Sequence, residues 1–162
     1  MRRVEHQIRD VRRALALISG AYLAVGTLGT WVAMRDGLAG RPFGWDLGIS
    51  PVSGFVFGLG TALSAPLVLL LALAFANLLL WRNGRLARRA TETIALLGAG
   101  FAVGMLAEPI TWDPGTWSDW PTTAIVIANL VLPLMLVLLG LEHRASTLSP
   151  SRSGVGLEAH RR

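Results

Sequence analysis

GMLAEPITWDPGTWSDWP, residues 104–121, closes one apolar run and opens the next. The run before it, residues 93–107, carries no charge, and neither does the run after it, residues 120–141. The stretch itself carries a Glu-Pro pair, three tryptophans and two aspartates. Two further uncharged runs lie upstream, at residues 14–34 and 47–81. About 20 apolar residues suffice to cross a bilayer as a helix. The chain of 162 residues is 52% apolar and only 15% charged, with a mean hydropathy of +0.52. A soluble domain carries about 25% charge. The sequence therefore reads as an all-α integral membrane protein.

The arginines set the expected topology. Arg2, Arg3, Arg9, Arg12 and Arg13 precede the first run. Arg82, Arg85, Arg88 and Arg89 lie between the second and third, and Arg144, Arg152, Arg161 and Arg162 follow the fourth. Only Arg35 and Arg41 fall elsewhere. Positive charge concentrates on the cytoplasmic side of membrane helices. The distribution predicts a four-transmembrane-helix bundle, with spans at about 14–34, 61–81, 91–110 and 120–141 and both termini in the cytoplasm. The first span exceeds a signal-peptide core and is read as retained. Residues 1–13 form a basic N-terminus. Residues 142–162 are polar and aperiodic, and are expected to be disordered. Residues 50–60, SPVSGFVFGLG, are apolar but glycine-rich. They fit a helical extension, an interfacial segment or a re-entrant turn. Every basic residue other than histidine is Arg, a bias that suggests a prokaryotic cytoplasmic membrane.

An internal echo suggests two duplicated helical hairpins. GAYLAVGTL at 20–28 matches GAGFAVGML at 98–106 in six of nine positions. WDLG at 45–48 lies 67 residues before WDPG at 112–115, and PLVLLL at 66–71 lies 67 before PLMLVL at 133–138. Such a repeat relates the halves by a pseudo-two-fold along the membrane normal. Lipid is as apolar as leucine, so small residues must bring helices together. Gly20 and Gly26 of the first span and Gly98, Gly100 and Gly104 of the third are expected to form the crossing of those two helices. Pro66 and Pro133 are expected to kink the second and fourth.

Composition bounds the chemistry. The chain has no cysteine, so disulfides, thiolate metal sites and iron–sulfur clusters are excluded. His6, His143 and His160 flank the helices, away from any haem site inside the membrane. No cofactor and no metal is expected. The pI near 11.4 does not signal nucleic acid, because the arginines sit at helix ends.

The tryptophans have a simple account: Trp31, Trp45, Trp112, Trp117 and Trp120 mark one interface and Trp81 the other. Glu108 does not. Fifteen residues separate it from Glu92, about 24 Å of helix against a hydrocarbon core of about 30 Å. Glu92 belongs to a helix N-terminus, whose dipole favours it, whereas Glu108 sits at the disfavoured end. An ionisable group at membrane depth is either paired or functional. The structural reading pairs Glu108 with Arg35 or Arg41. The functional reading makes Glu108, with Asp46, Asp113 and Asn129, a ligand or proton site.

Three function classes remain. The expectation from size and the absence of a catalytic constellation is a non-enzymatic accessory or scaffold subunit of a membrane complex, with another membrane protein or a second copy as partner. The alternative is a small oligomeric transporter or channel using Glu108 near the outer interface. The third is an outer-face enzyme acting on lipid or quinone, drawing on Asp46, Glu108, Asp113 and Asp119.

Overall fold

The computed structural model describes residues 2–58, 60–82, 84–113, 115 and 119–148, with side chains for residue 6 and, within those ranges, residues 8–146. Among the described residues the regular structure is all helical, apart from two isolated bridges. Helix α1 spans Arg2–Asp36, α2 Pro51–Phe57, α3 Leu67–Leu79, α4 Arg85–Ala107 and α5 Trp120–Leu148. Among the described residues, three stretches are long and apolar enough to cross a membrane: Ile8–Asp36, Arg85–Ala107 and Trp120–Ser146. Helix α3 is apolar but, at 13 residues, only about 20 Å long.

The second run is thus not the single helix over 61–81 that its hydropathy predicts. Its helix starts at Leu67, with Pro66 as the N-cap residue. Proline lacks the N–H that a helix interior needs and drives the residue before it out of the helical region. Pro66 therefore sets the start of α3 instead of kinking it. Gly58 and Gly60 sit at φ 105° and 80°, which ends α2 and turns the chain. Residues 50–60, left open by the sequence, are mostly the short helix α2, whose N-cap Ser50 accepts from the Ser53 N–H at 3.2 Å. Pro133, by contrast, lies inside the continuous helix α5.

The irregular segment between α2 and α3 is the most continuously buried stretch of the chain: Gly60 to Ser64 are all buried. Buried backbone groups need partners. Thr61 N–H donates to Ser64 O at 2.9 Å, Gly60 N–H to Gly54 O at 2.9 Å, and Ala62 N–H to Leu38 O at 3.4 Å. The Leu63 N–H donates to Thr61 Oγ1 at 3.4 Å. The Leu63 carbonyl accepts from Asn129 Nδ2 of α5 at 2.8 Å.

Glycine contacts join neighbours other than the expected ones. A Cβ at Gly98 would lie 2.9 Å from both Leu136 Cβ and Pro133 O of α5, and Gly140 packs against Ala95 of α4. Gly26 lies against Leu70 of α3, Gly20 approaches Asn77, and Gly29 lies against the Leu63 carbonyl. A Cβ on Gly100 or Gly104 would meet nothing within 4 Å. The expected crossing of the first and third long helices through Gly20, Gly26, Gly98, Gly100 and Gly104 is not formed. Helix α5 packs extensively on both α1 and α4, which touch each other little. Their closest aromatic meeting is Tyr22 stacked on Phe101, with ring centroids 4.6 Å apart.

The bundle has two chemically distinct ends. At one, Arg12 of α1 donates to the Leu80 and Arg82 carbonyls, pinning α1 to the end of α3. Helix α5 runs on to Leu148, so residues 142–148 are helical where the sequence suggested a disordered tail. The remainder of that tail lies outside the described residues. At the other end, two loops follow one pattern at a spacing of 67 residues. Pro42–Gly44 and Pro109–Thr111 each form a 3₁₀ turn closed by a tryptophan N–H on the proline carbonyl. In each, the next residue is an aspartate that accepts the N–H two residues on: Gly48 to Asp46 Oδ1 at 2.9 Å, Gly115 to Asp113 Oδ1 at 3.1 Å. The turns differ in backbone sign at Phe43 and Gly44, which sit at φ 56° and 81°. Exposed Trp31, Trp45, Trp112 and Trp120 lie at this end, and exposed Trp81 at the other. Trp117 is outside the described residues.

Candidate functional site

Glu108 is the C-cap of α4. Pro109 follows it and cannot continue a helix, so the chain turns there with Glu108 extended at φ −83° and ψ 129°. The turn folds the side chain inward, and only 7% of the residue is exposed. Oε2 accepts the Arg41 backbone N–H at 2.9 Å. A Cβ on Gly40 would stand 3.4 Å from Oε1, so the loop after α1 lies close against the carboxylate.

The expected ion pair between Glu108 and Arg35 or Arg41 is not formed. The Arg35 guanidinium bonds Asp36 at 2.7 Å and lies over the Trp31 ring. The Arg41 guanidinium reaches Asp46 at 3.2 Å. What Arg41 gives Glu108 is its main chain. Helix α4 ends at Ala107, so Glu108 lies just beyond the span. Burial pushes its carboxyl above the usual carboxylate range, and the Arg41 N–H offsets that in part.

Glu108 separates two cavities. A bowl of about 700 Å³ opens at the tryptophan-rich end. Its charged lining is Asp36, Glu108, Asp113 and Asp119 against Arg35 and Arg41. A second cavity of about 340 Å³ lies deeper among the helices. Tyr22 and Phe101 form part of its wall, Thr61, Ser64 and Asn129 supply polar groups, and Gly100 and Gly104 leave its α4 side open. Glu108 and Ala62 line both.

Asn129 is the polar group of the deeper cavity with capacity to spare. It is 2% exposed. Its Nδ2 is identified by its partner: the Leu63 carbonyl can only accept, so the atom facing it must donate. That leaves Oδ1, an acceptor buried with no partner among the described residues. Buried polar atoms normally have partners, so an unpaired one calls for a donor from outside the chain.

Of the residues singled out from sequence, the fold brings Glu108, Asp113 and Asn129 to the walls of these two cavities. Asp46 is not among them; it is exposed and engaged with Arg41 and Gly48. Among the described residues no three His, Asp or Glu side chains converge as a metal-ligand set. The lining residues missed from sequence are Thr61, Tyr22 and Phe101. The signal for Thr61 was present: Gly58, Gly60 and Pro66 announce a break in which side chains and backbone carbonyls face a cavity.

Comparison with protein-family models, with curated proteins and with solved structures finds no match for this chain.

Proposed function

We propose that this protein binds a small amphipathic cation, a protonated amine on an apolar body, and passes it between the outer bowl and the space among the helices. The observation that carries this reading is the position of Glu108, buried and shared by both cavities. Four carboxylates against two guanidiniums bias the bowl toward cations. The free Asn129 Oδ1 accepts from an N–H donor, and the Tyr22 and Phe101 rings suit an apolar or π-bearing body. Among the described residues, no paired acid and base and no activated nucleophile lines the deeper cavity, which favours binding and transport over catalysis.

The topology that goes with it has four crossings. Helix α2, the buried turn and α3 together make the second, as a broken helix. Irregular backbone is tolerated at membrane depth where protein buries it or a cavity borders it, and transporter sites are often built at such breaks. The arginine-rich end is read as cytoplasmic, in a prokaryotic inner membrane, with both termini inside. The shared P-x-x-W-D-x-G turns at 42–48 and 109–115 support descent of the two halves from one duplicated hairpin.

The test is purification from native membranes in a mild detergent, followed by mass spectrometry of what remains bound. Retention of a small amine by the protein or its homo-oligomer is the expected result. A stoichiometric membrane partner with no small molecule retained would overturn the transport reading and return the protein to the class of accessory subunits.

A further inference from the structure

The opposite end of the bundle carries a different kind of space. Arg9, Arg12 and Arg13 of α1 border a cavity of about 260 Å³, together with Ala16, Leu80 and Trp81. Arg12 is spent on the chain itself, holding the Leu80 and Arg82 carbonyls. Arg9 and Arg13 have no ion-pair partner among the described residues. Arg13, Ala16 and Trp81 also line a second cavity of about 640 Å³, which continues between α1 and α3 past Leu17, Ala74 and Leu78. The two spaces are continuous in their lining, basic at the top and apolar below. No acidic residue lines either one. Asn77, the one amide on the apolar part, already donates to the Ala16 carbonyl at 3.2 Å.

We propose that this composite groove is a binding site for an anionic phospholipid, independent of the site around Glu108. The lipid phosphate sits between Arg9 and Arg13, and one acyl chain lies in the apolar part between α1 and α3. Guanidinium matches phosphate in a two-point fork. Basic pockets between helices on the positive side of a membrane select acidic headgroups. The exposed Trp81 ring stands at headgroup depth, where indoles prefer to lie. A free phosphate would use only the upper part of the groove, whereas a lipid fills both. The acidic bowl at the other end offers no such match.

The experiment is native mass spectrometry of the purified full chain equilibrated with phosphatidylglycerol and with phosphatidylcholine of the same acyl chains. The wild-type protein is expected to retain phosphatidylglycerol in clear preference. Each arginine near an anionic headgroup contributes about fivefold, so the paired change Arg9→Gln and Arg13→Gln should weaken retention roughly 25-fold. Arg9→Lys with Arg13→Lys keeps the charge and should restore most of it. Arg89→Gln, outside the groove, should change nothing. Ala74→Phe should lower retention with the arginines intact, because it fills the acyl part; inorganic phosphate held there would not notice it. Equal retention of the two lipids by wild type, undiminished retention in the Gln pair, or indifference to Ala74→Phe would each overturn the proposal. Helical circular dichroism of every variant identifies any loss that comes from misfolding, and the Lys pair then decides.

Discussion

Asn129 Nδ2 donates to the Leu63 carbonyl at 2.8 Å, joining the middle of α5 to the buried irregular segment between α2 and α3. Gly29 of α1 lies against the same carbonyl from another side. A single backbone oxygen thus fixes how α1, α5 and the broken second run meet. The bond also orients Asn129 so that Oδ1 is left to accept from something that is not the chain.

Replacing Asn129 by Leu should destabilise the protein by about 1–3 kcal/mol, because the Leu63 carbonyl would remain buried without a donor. Thermal unfolding in detergent, followed by circular dichroism, measures this. An unchanged midpoint would mean that water or another group satisfies Leu63, and that Asn129 has no structural role.

The glycines divide into two groups by what faces them. Gly29→Leu and Gly98→Leu drive side chains into backbone and Cβ atoms already within contact, and should cost more than about 2 kcal/mol each. Gly104→Ala meets open space and should be neutral or stabilising by about 0.5–1 kcal/mol, the usual gain from Ala over Gly in a helix. Equal losses at Gly98 and Gly104 would restore the helix crossing that the sequence suggested.

The absence of native cysteine permits a direct probe of the deeper cavity. Gly104→Cys places one thiol in its wall without a clash. A charged, water-soluble methanethiosulfonate reagent should label it in the folded protein, and phenylbutylamine should protect it. A thiol that reacts only after unfolding would mean the space is closed to water and to ligand.

Glu108 should make stability depend on pH with a defined sign. Its folded pKa is raised by burial above the unfolded carboxylate value of about 4.3, so the folded state holds the proton more tightly than the unfolded one. That contribution is fully present below the unfolded pKa and is lost as pH rises through the raised value. Wild type should therefore lose stability relative to Glu108→Gln as pH is raised from about 4 through the raised pKa. Parallel pH profiles for the two proteins would show that the carboxylate is not desolvated.

The membrane class was legible because charge-free runs of spanning length leave few alternatives. The break in the second run was written in Gly58, Gly60 and Pro66, but hydropathy does not register backbone geometry, so residues 61–81 read as one continuous helix. Glu108 stood out from sequence by its depth and by its place at the helix end that disfavours a negative charge. Its true partner could not, since a backbone N–H of Arg41 has no letter in the sequence, whereas the Arg41 side chain suggested an ion pair. Gly100 and Gly104 misled for a related reason: small residues at that spacing permit close approach but do not say to what, and here they border a cavity.

The most direct measurement is calorimetric binding of phenylbutylamine to the purified protein and to Glu108→Gln at neutral pH and again at pH 5. The account predicts saturable binding to wild type that weakens at pH 5, as protons compete for the carboxylate, and at least a tenfold loss in Glu108→Gln, about 1.4 kcal/mol. Equal affinity in wild type and Glu108→Gln, or no binding to wild type at either pH, would contradict it.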